Sequence, residues 1–430
     1  MAYIKIYNQK MIPIGVANTE SIEVIEGAQR YAKIKNENGI INGAVNIDDE
    51  LTSSEIARLV TLYDDKMMPI GMTDIEDVIG GHDYSKDYLT FTALEDANFT
   101  FTTNALQYSV DGGETWETLA AYASTPTISA GSKILWKQTG LAPTSSNGIG
   151  KFSALGNFEA SGNIMSLYYG DNFIGQTDLT GKSYAFYNLF NGNTRLANAE
   201  NLILPATTLT EYCYQGMFYG CTSLTTAPEL SATTLTNYCY TGMFAICTSL
   251  TTAPELPATT LTEFCYYSMF NGCTSLTSSP ELPATTLANN CYSSMFYGCT
   301  ALTTAPELPA TILAFSCYYS MFSGCTSLAI APILPATTLA DSCYLNMFEG
   351  CTSLEYLKIL YTGSDSPGYM NTVSTEGDLY LYSQALASNN QFLKGFNGWR
   401  LYVNDAYSGI IDIQGGGCCC GCGGGCGCGC

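Results

Sequence analysis

The strongest constraint on this chain is a period. Cys213, Cys239, Cys265, Cys291, Cys317 and Cys343 lie 26 residues apart, and Cys221, Cys247, Cys273, Cys299, Cys325 and Cys351 form a second column eight residues later. The unit reads TLTEYCYQGMFYGCTSLTTAPELPAT and recurs in six copies over residues 209–354. One unit of this size cannot bury an apolar face by itself, so neighbours must stack and share a core. A degenerate copy comes first, with Ala185 and Asn193 where the cysteines would stand. Atypical end copies are what an open-ended stack needs to cover its core. A surface made by repetition is expected to bind rather than to catalyse.

Within a unit, Leu209, Cys213 and Met217 are four apart and Phe218 extends the stripe. This spacing predicts a short helix with one buried face, stopped near its end by Gly220. Leu224 and Leu230 bracket an extended TTAPE segment, and Pro228 prevents the helix from continuing. Compared copy against copy, Cys, Tyr, Met, Phe, Cys, Thr and Leu hold nearly fixed, whereas five columns vary, opened by Glu211, Tyr212, Gln215, Gly216 and Tyr219. On a helix these offsets share the face opposite the apolar stripe. The candidate ligand-binding residues on that face are Glu211, Tyr212, Gln215, Tyr219, Asn237, Tyr238, Thr241, Glu263, Phe264, Tyr267, Asn271, Asn289, Asn290, Tyr297, Phe315, Tyr319 and Asp341. Two readings of the variation stay open: relaxed drift on a solvated face, or a binding surface rich in Tyr, Asn and Ser, a chemistry suited to glycan or protein recognition.

The MF-x-G-C-T-S-L core, with leucines and prolines around it, resembles the BspA-type leucine-rich repeats of bacterial and phage surface proteins. The resemblance covers about 185–354 and lacks the Asn of the common L-x-x-L-x-L-x-x-N pattern. It implies a leucine-rich-repeat solenoid of α/β repeats, and adhesion and recognition as its business.

Charge narrows the partners. The chain carries 38 acidic and 16 basic residues, a formal net charge of −22, and no Lys or Arg between Arg195 and Lys358. Binding to nucleic acid needs cations that displace counterions from phosphates, so neither nucleic acid nor an anionic membrane is an expected partner. No stretch approaches the ~18 apolar residues of a membrane span. The opening MAYIKIYNQK lacks the apolar core of a secretory signal, which predicts synthesis in the cytoplasm.

For the repeat cysteines, a ladder of buried small side chains outweighs disulfides, which the expected reducing compartment disfavours. Zinc would need closer cysteine pairs, and the single histidine, His82, is remote. No nearby cation lowers a thiol pKa. Glu229, Glu255, Glu281 and Glu307 form another column, either a solvated stripe or one that attracts a cation.

The expected organisation is multidomain. Residues 1–80 read as an α+β anchoring module, opened and closed by KMIPIG at 10–15 and KMMPIG at 66–71. Between them, Thr52 and Glu55 form a capping box, and Ile56, Leu59, Val60 and Tyr63 follow at helical spacing. Residues 81–170 alternate as strands and read as a β-sandwich. There Ser109–Trp116 fits S-x-D-x-G-x-T-W, which resembles the Asp-box hairpin of sialidase propellers; a single copy reads as one stabilised hairpin. The solenoid with its caps spans 171–410, with the repeat lost after 354 and Trp399 sealing the end. Residues 411–430 are a Gly/Cys-rich tail whose seven cysteines fit a disordered tip, inter-chain crosslinks or soft-metal ligands.

No paired-carboxylate cleft, no nucleophile with a base and no phosphate loop is legible, so no enzyme activity, catalytic residue, metal or cofactor is expected. The functional expectation is a structural adhesion protein, a phage head or tail fibre displayed on the virion. Its N-terminal module would dock on capsid or tail proteins, and its repeats would meet a host-surface glycan or protein. A homo-oligomer is expected, a trimer being one form. The alternative is a bacterial cell-surface or cytoplasmic leucine-rich-repeat scaffold.

Overall fold

The computed structural model describes residues 3–7, 13–18, 31–35, 41–46, 59–63, 69–74, 87–102, 106–138, 148–363 and 376–412. His82 and the cysteine tail lie outside the described residues.

Strands β1 (Tyr3–Tyr7), β2 (Pro13–Asn18), β3 (Tyr31–Lys35), β4 (Ile41–Asn46), β5 (Leu59–Tyr63) and β6 (Pro69–Asp74) form three antiparallel hairpins. The hairpins begin at residues 3, 31 and 59, a spacing of 28, and each shifts register at the same place, Ile6/Tyr7, Ile34/Lys35 and Leu62/Tyr63. The near-duplicate KMIPIG and KMMPIG segments are therefore two members of a threefold repeat. The middle copy reads NGIING at 38–43 and hides the relationship. The helix expected over Thr52–Tyr63 is corrected in its second half. Leu59–Tyr63 is a strand that pairs with β1 on one side and β6 on the other, while Thr52, Glu55 and Ile56 lie outside the described residues. LVTLY suits a pleated surface as well as a helix, and two backbone ladders decide for the strand.

The next strands are β7 (Leu89–Ala93), β8 (Phe99–Phe101), β9 (Leu106–Ser109), β10 (Glu117–Leu119), β11 (Lys133–Gln138), β12 (Phe152–Ala154) and β13 (Phe158–Asn163), followed by β14 (Leu196–Asn198) and β15 (Leu202–Ile203). One sheet runs β10-β9-β11-β7-β13-β14, with β15 also pairing to β13, and β12-β8 is a separate two-stranded ribbon. The aromatics on these strands meet in one place. Phe91 lies 4.7 to 5.5 Å, centroid to centroid, from Phe99, Trp136, Phe152 and Phe158. The pairings of β13 with β14 and β15 are parallel, so this sheet leads directly into the repeats. A single turn of helix, α1 (Ser166–Tyr169), sits at the junction.

In the repeats the expected helix is absent. Residues 209–354 contain no α-helix; a run of turns stands where each was expected. Alternate N–H groups close four-residue turns, as in Cys213 to Thr210, Gln215 to Tyr212 and Met217 to Tyr214. The N–H groups between them reach the next coil, as in Tyr214 to Cys239, Gly216 to Thr241 and Phe218 to Met243. Every fourth residue is left-handed: Tyr212 (φ 62°), Gly216 (φ 59°) and Gly220 (φ 69°) in the first coil. A right-handed helix admits none of these, and it would spend on itself the N–H groups that here join coil to coil. On the opposite side, Thr226, Thr252, Ser278, Thr304, Ile330 and Tyr356 form successive parallel bridges.

Stacking does not stop where the sequence pattern does. Tyr356 begins β16 (Tyr356–Ile359), which pairs in parallel with β17 (Asp378–Leu381), itself parallel to β18 (Arg400–Val403), before antiparallel β19 (Ala406–Ile410) closes the edge. The spacing shortens to 22 residues, and the last coil carries two short helices, α2 (Gln384–Ala387) and α3 (Asn390–Leu393). Trp399 is fully buried beneath this end, 5.3 Å from Phe396.

Candidate functional site

The fixed columns are the core. Cys213, Met217, Phe218, Cys221 and Leu224 and their counterparts are 0% exposed throughout the six copies. The fixed tyrosine, Tyr214 in the first copy, also lies inside. Its ring stacks on Phe186 below and Tyr240 above at 5.4 and 5.6 Å, and the column continues to Tyr344. Phe190 to Phe348 form a parallel stack. The twelve repeat thiols are buried and none is in a disulfide. Those of the second column donate to the phenylalanine carbonyl of the preceding coil at 3.1 Å, Cys221 to Phe190 through Cys351 to Phe322. Burial pushes the Cys213, Cys221 and Cys273 thiols up to about 12, which keeps them protonated. The threonine after this cysteine hydroxyl-bonds to its counterpart one coil earlier, as Thr274 does to the Thr248 carbonyl at 3.5 Å. These contacts fix one coil on the next and give the surface a rigid backing.

Every candidate residue named from the variable columns is exposed or half-buried. They stand on the turn ribbon rather than on a helix. Not all members of the variable columns are exposed: Ala245, Ser293, Ser316, Ser320 and Ser323 are buried. The outermost column links Asn237, Glu263, Asn289 and Phe315 by side-chain bonds: the Asn237 Oδ1 accepts from Glu263 N (3.2 Å), the Asn289 Nδ2 donates to the Glu263 carboxylate (3.0 Å), and the Asn289 Oδ1 accepts from Phe315 N (3.2 Å).

The second column begins as an aromatic stack. The rings of Tyr184, Tyr212, Tyr238 and Phe264 lie nearly parallel at 4.5, 4.7 and 4.8 Å. At one end Tyr187 stands edge-on to Tyr184, and at the other Tyr267 stands edge-on to Phe264, each at 5.6 Å. Between those two tyrosines the third column offers only Gln215 and Thr241. The result is a groove of about 310 Å³ that gathers Gln215, Tyr219, Thr241, Tyr267 and Asn271 from the predicted face, with Tyr187, Asn188, Gly216, Gly242, Ala245, Ile246 and Ser268. Asn290, Tyr297, Phe315, Tyr319 and Asp341 do not line it. No lining residue is charged.

Sequence reasoning missed Tyr184, Tyr187 and Asn188, which belong to the degenerate copy, and Ile246. The signal for the first three was their alignment with Tyr212, Gln215 and Gly216. The signal for Ile246 was its place in a column otherwise held by Gly220, Gly272, Gly298, Gly324 and Gly350. All six have positive φ, and Ile246, at 61°, is the β-branched exception. A β-branched residue there is strained, and strain of this kind gathers at working surfaces.

Elsewhere, Ser109–Trp116 is the loop of the β9–β10 hairpin. Asp111 accepts from Ser109 Oγ (2.6 Å), Thr115 N (3.0 Å) and Thr115 Oγ1 (2.5 Å), and the Trp116 indole N–H donates to the Gly113 carbonyl (3.1 Å). The Ser109 and Thr115 bonds hold the Asp111 carboxyl well below the usual range. All four groups are used up in shaping the turn. Glu229, Glu255, Glu281 and Glu307 are exposed, and among the described residues no set of three or more His, Cys, Asp or Glu is arranged to hold a metal ion. No helix of the described residues is long and apolar enough to cross a membrane. Compared with known family models, curated proteins and solved structures, the chain matches none.

Proposed function

We propose that this chain is a non-enzymatic adhesion protein, a phage virion fibre in which leucine-rich-repeat-like coils display a recognition surface to the host cell. The observation that carries the reading is the division of labour within the repeat. The Cys, Tyr, Met, Phe and Leu positions that stay constant from copy to copy are buried, whereas the columns that change supply exposed and half-buried positions rich in Tyr and Asn, with an uncharged groove among them. Such a face contacts large polar partners at low entropic cost, since tyrosine brings contact area with few rotatable bonds. The N-terminal hairpins, in this reading, dock the fibre on capsid or tail proteins, and several copies assemble side by side. An acidic coil stack without Lys or Arg repels nucleic acid and anionic lipid alike.

The test is where the protein goes. Antibody labelling and mass spectrometry of purified phage particles are expected to find it at the particle surface, and soluble full-length protein is expected to reduce phage adsorption. Its absence from particles, together with recovery from the envelope of uninfected bacteria, would move it to the bacterial cell surface.

A further inference from the structure

We infer that the groove running from the degenerate copy to coil three is a subsite for a short neutral oligosaccharide, an assignment that rests on the recognition reading above and narrows it to a ligand class. Four observations converge on it. The groove is closed at both ends by tyrosines, Tyr187 and Tyr267, that the ends of the aromatic stack hold edge-on at 5.6 Å. Its length follows from the coil spacing: three strand-like steps of ~4.7 Å give ~14 Å, room for two to three sugar rings. Its volume, about 310 Å³, lies at the small end of ligand sites. Its floor exists because coil two carries Thr241 and Ala245 where other coils place Tyr267, Tyr319, Tyr219 and Tyr297.

The lining chemistry selects the ligand. The Gln215 and Asn271 side chains make no hydrogen bond within the described residues, so each offers an amide donor pair and a carbonyl acceptor outward. Sugar hydroxyls need this mixture, while the apolar C–H faces of the rings pack on tyrosine π faces. No lysine, arginine or histidine is present to balance a carboxylate or phosphate, and the coil stack around the groove is acidic. A uronate or sialic acid would enter against that field; a neutral sugar would not. Ile246, 38% exposed at the groove and held at a φ of 61°, adds the apolar contact that the glycine found in the other coils cannot.

The experiment uses the full chain and calorimetric titration with maltotriose, cellotriose and triacetylchitotriose as neutral probes, and trigalacturonate and sialyllactose as anionic ones. At least one neutral probe is expected to bind, at least tenfold more tightly than either anionic probe. Thr241→Tyr and Ala245→Tyr fill the groove with residues that the same columns hold in other coils; the first also loses the bond from the Thr241 hydroxyl to the Phe264 carbonyl (2.5 Å), and the second leaves that bond in place. Each is expected to weaken the neutral probe at least tenfold with unchanged circular dichroism. Gln215→Ala is expected to weaken it at least threefold. Binding that survives Thr241→Tyr, a preference for the anionic probes, or no binding of any neutral probe would overturn the assignment. If cells or phage adsorption still respond to the protein and Thr241→Tyr leaves that response intact, the groove has failed while the adhesin reading stands; if cells do not respond at all, both have failed.

Discussion

The thiol of Cys247 donates a 3.1 Å hydrogen bond to the main-chain carbonyl of Phe218, one coil earlier. The same bond recurs along the stack, at Cys273 to Phe244 and Cys299 to Phe270. The Phe218 carbonyl already accepts from the Cys221 N–H in its own coil, so the thiol adds a second bond to it, one that joins coil to coil. Serine would be more polar and valine would have no donor, which accounts for cysteine in this column.

These buried thiols set an upper pH limit. Burial pushes the Cys213 and Cys221 thiols up to about 12, against ~8.5 in an unfolded chain. Folded thiols therefore keep protons that unfolded ones lose. Their contribution is fully present below pH ~8.5 and falls as pH rises towards 12, by ~1.4 kcal/mol per pH unit for each thiol. All twelve thiols act in the same direction, so cooperative unfolding is expected between pH ~8.5 and ~12. Circular dichroism against pH checks this, and a transition no earlier than pH ~12 would contradict it. Below that limit a thiol-reactive probe is expected to leave the repeat cysteines untouched until denaturant is added.

Ile246 predicts a gain of stability from a loss of side chain. Its left-handed backbone costs ~1–2 kcal/mol relative to a residue without Cβ, partly offset by the extra freedom glycine has when unfolded. Ile246→Gly is expected to raise the unfolding free energy by on the order of 0.5–1 kcal/mol in urea denaturation. The reverse change, Gly298→Ile, at the same column and also at positive φ (69°), is expected to lower it. A destabilised Ile246→Gly would mean that the side chain contributes more to packing than its exposure suggests.

Tyr318 is fully buried, and its hydroxyl has no hydrogen-bond partner among the described residues. An unpaired buried hydroxyl costs ~1–3 kcal/mol. The column already accepts phenylalanine at its first position, Phe186, which stacks on Tyr214. Tyr318→Phe is therefore expected to raise the melting temperature, whereas most core changes of an aromatic ring lower it. Tyr318→Leu, which breaks the ring stack, is expected to lower it.

Asp111→Ala is expected to loosen one hairpin and nothing else. The exposed carboxylate is held low by bonds from Ser109 and Thr115, so its contribution is present above pH ~4 and is lost as pH falls further. Hydrogen exchange at the Thr115 amide, which bonds to Asp111, is expected to speed up in the variant at pH 7. Sugar binding and exchange across the coils are expected to stay as in the parent. Measurable glycosidase activity that the change abolishes would overturn a purely structural role.

Much of the core was legible because identical copies must bury identical positions. Period and apolarity alone point Leu209, Cys213, Met217 and Phe218 inward, and all are buried. They do not place Tyr214, because nothing in a tyrosine column says whether its hydroxyl reaches solvent. The helix was misread for a definite reason. Leu209, Cys213 and Met217 recur at four, a spacing that a turn ribbon with a left-handed residue every fourth place also produces. Gly at 216 and 242 and Asn at 346, in a column otherwise held by serine, were the available sign of it, since glycine and asparagine tolerate that conformation best. The Leu59–Tyr63 strand was missed because the same five residues satisfy both periods, and only its pairing with β1 and β6 separates them.

By itself, then, the sequence determined the period, the stacked core, the acidic surface and the set of columns free to vary. Tertiary structure decided what those columns make. A backbone N–H at Gly216 meets its acceptor at Thr241 in the next coil, and this long-range bonding, absent from any single unit, chose turns over helix. It also set Thr241 and Ala245 between Tyr187 and Tyr267, turning a local shortage of side-chain volume into a groove. Local pattern fixes which side chains face inward, but a groove is a relation between neighbours, and neighbours exist only once the coils have stacked.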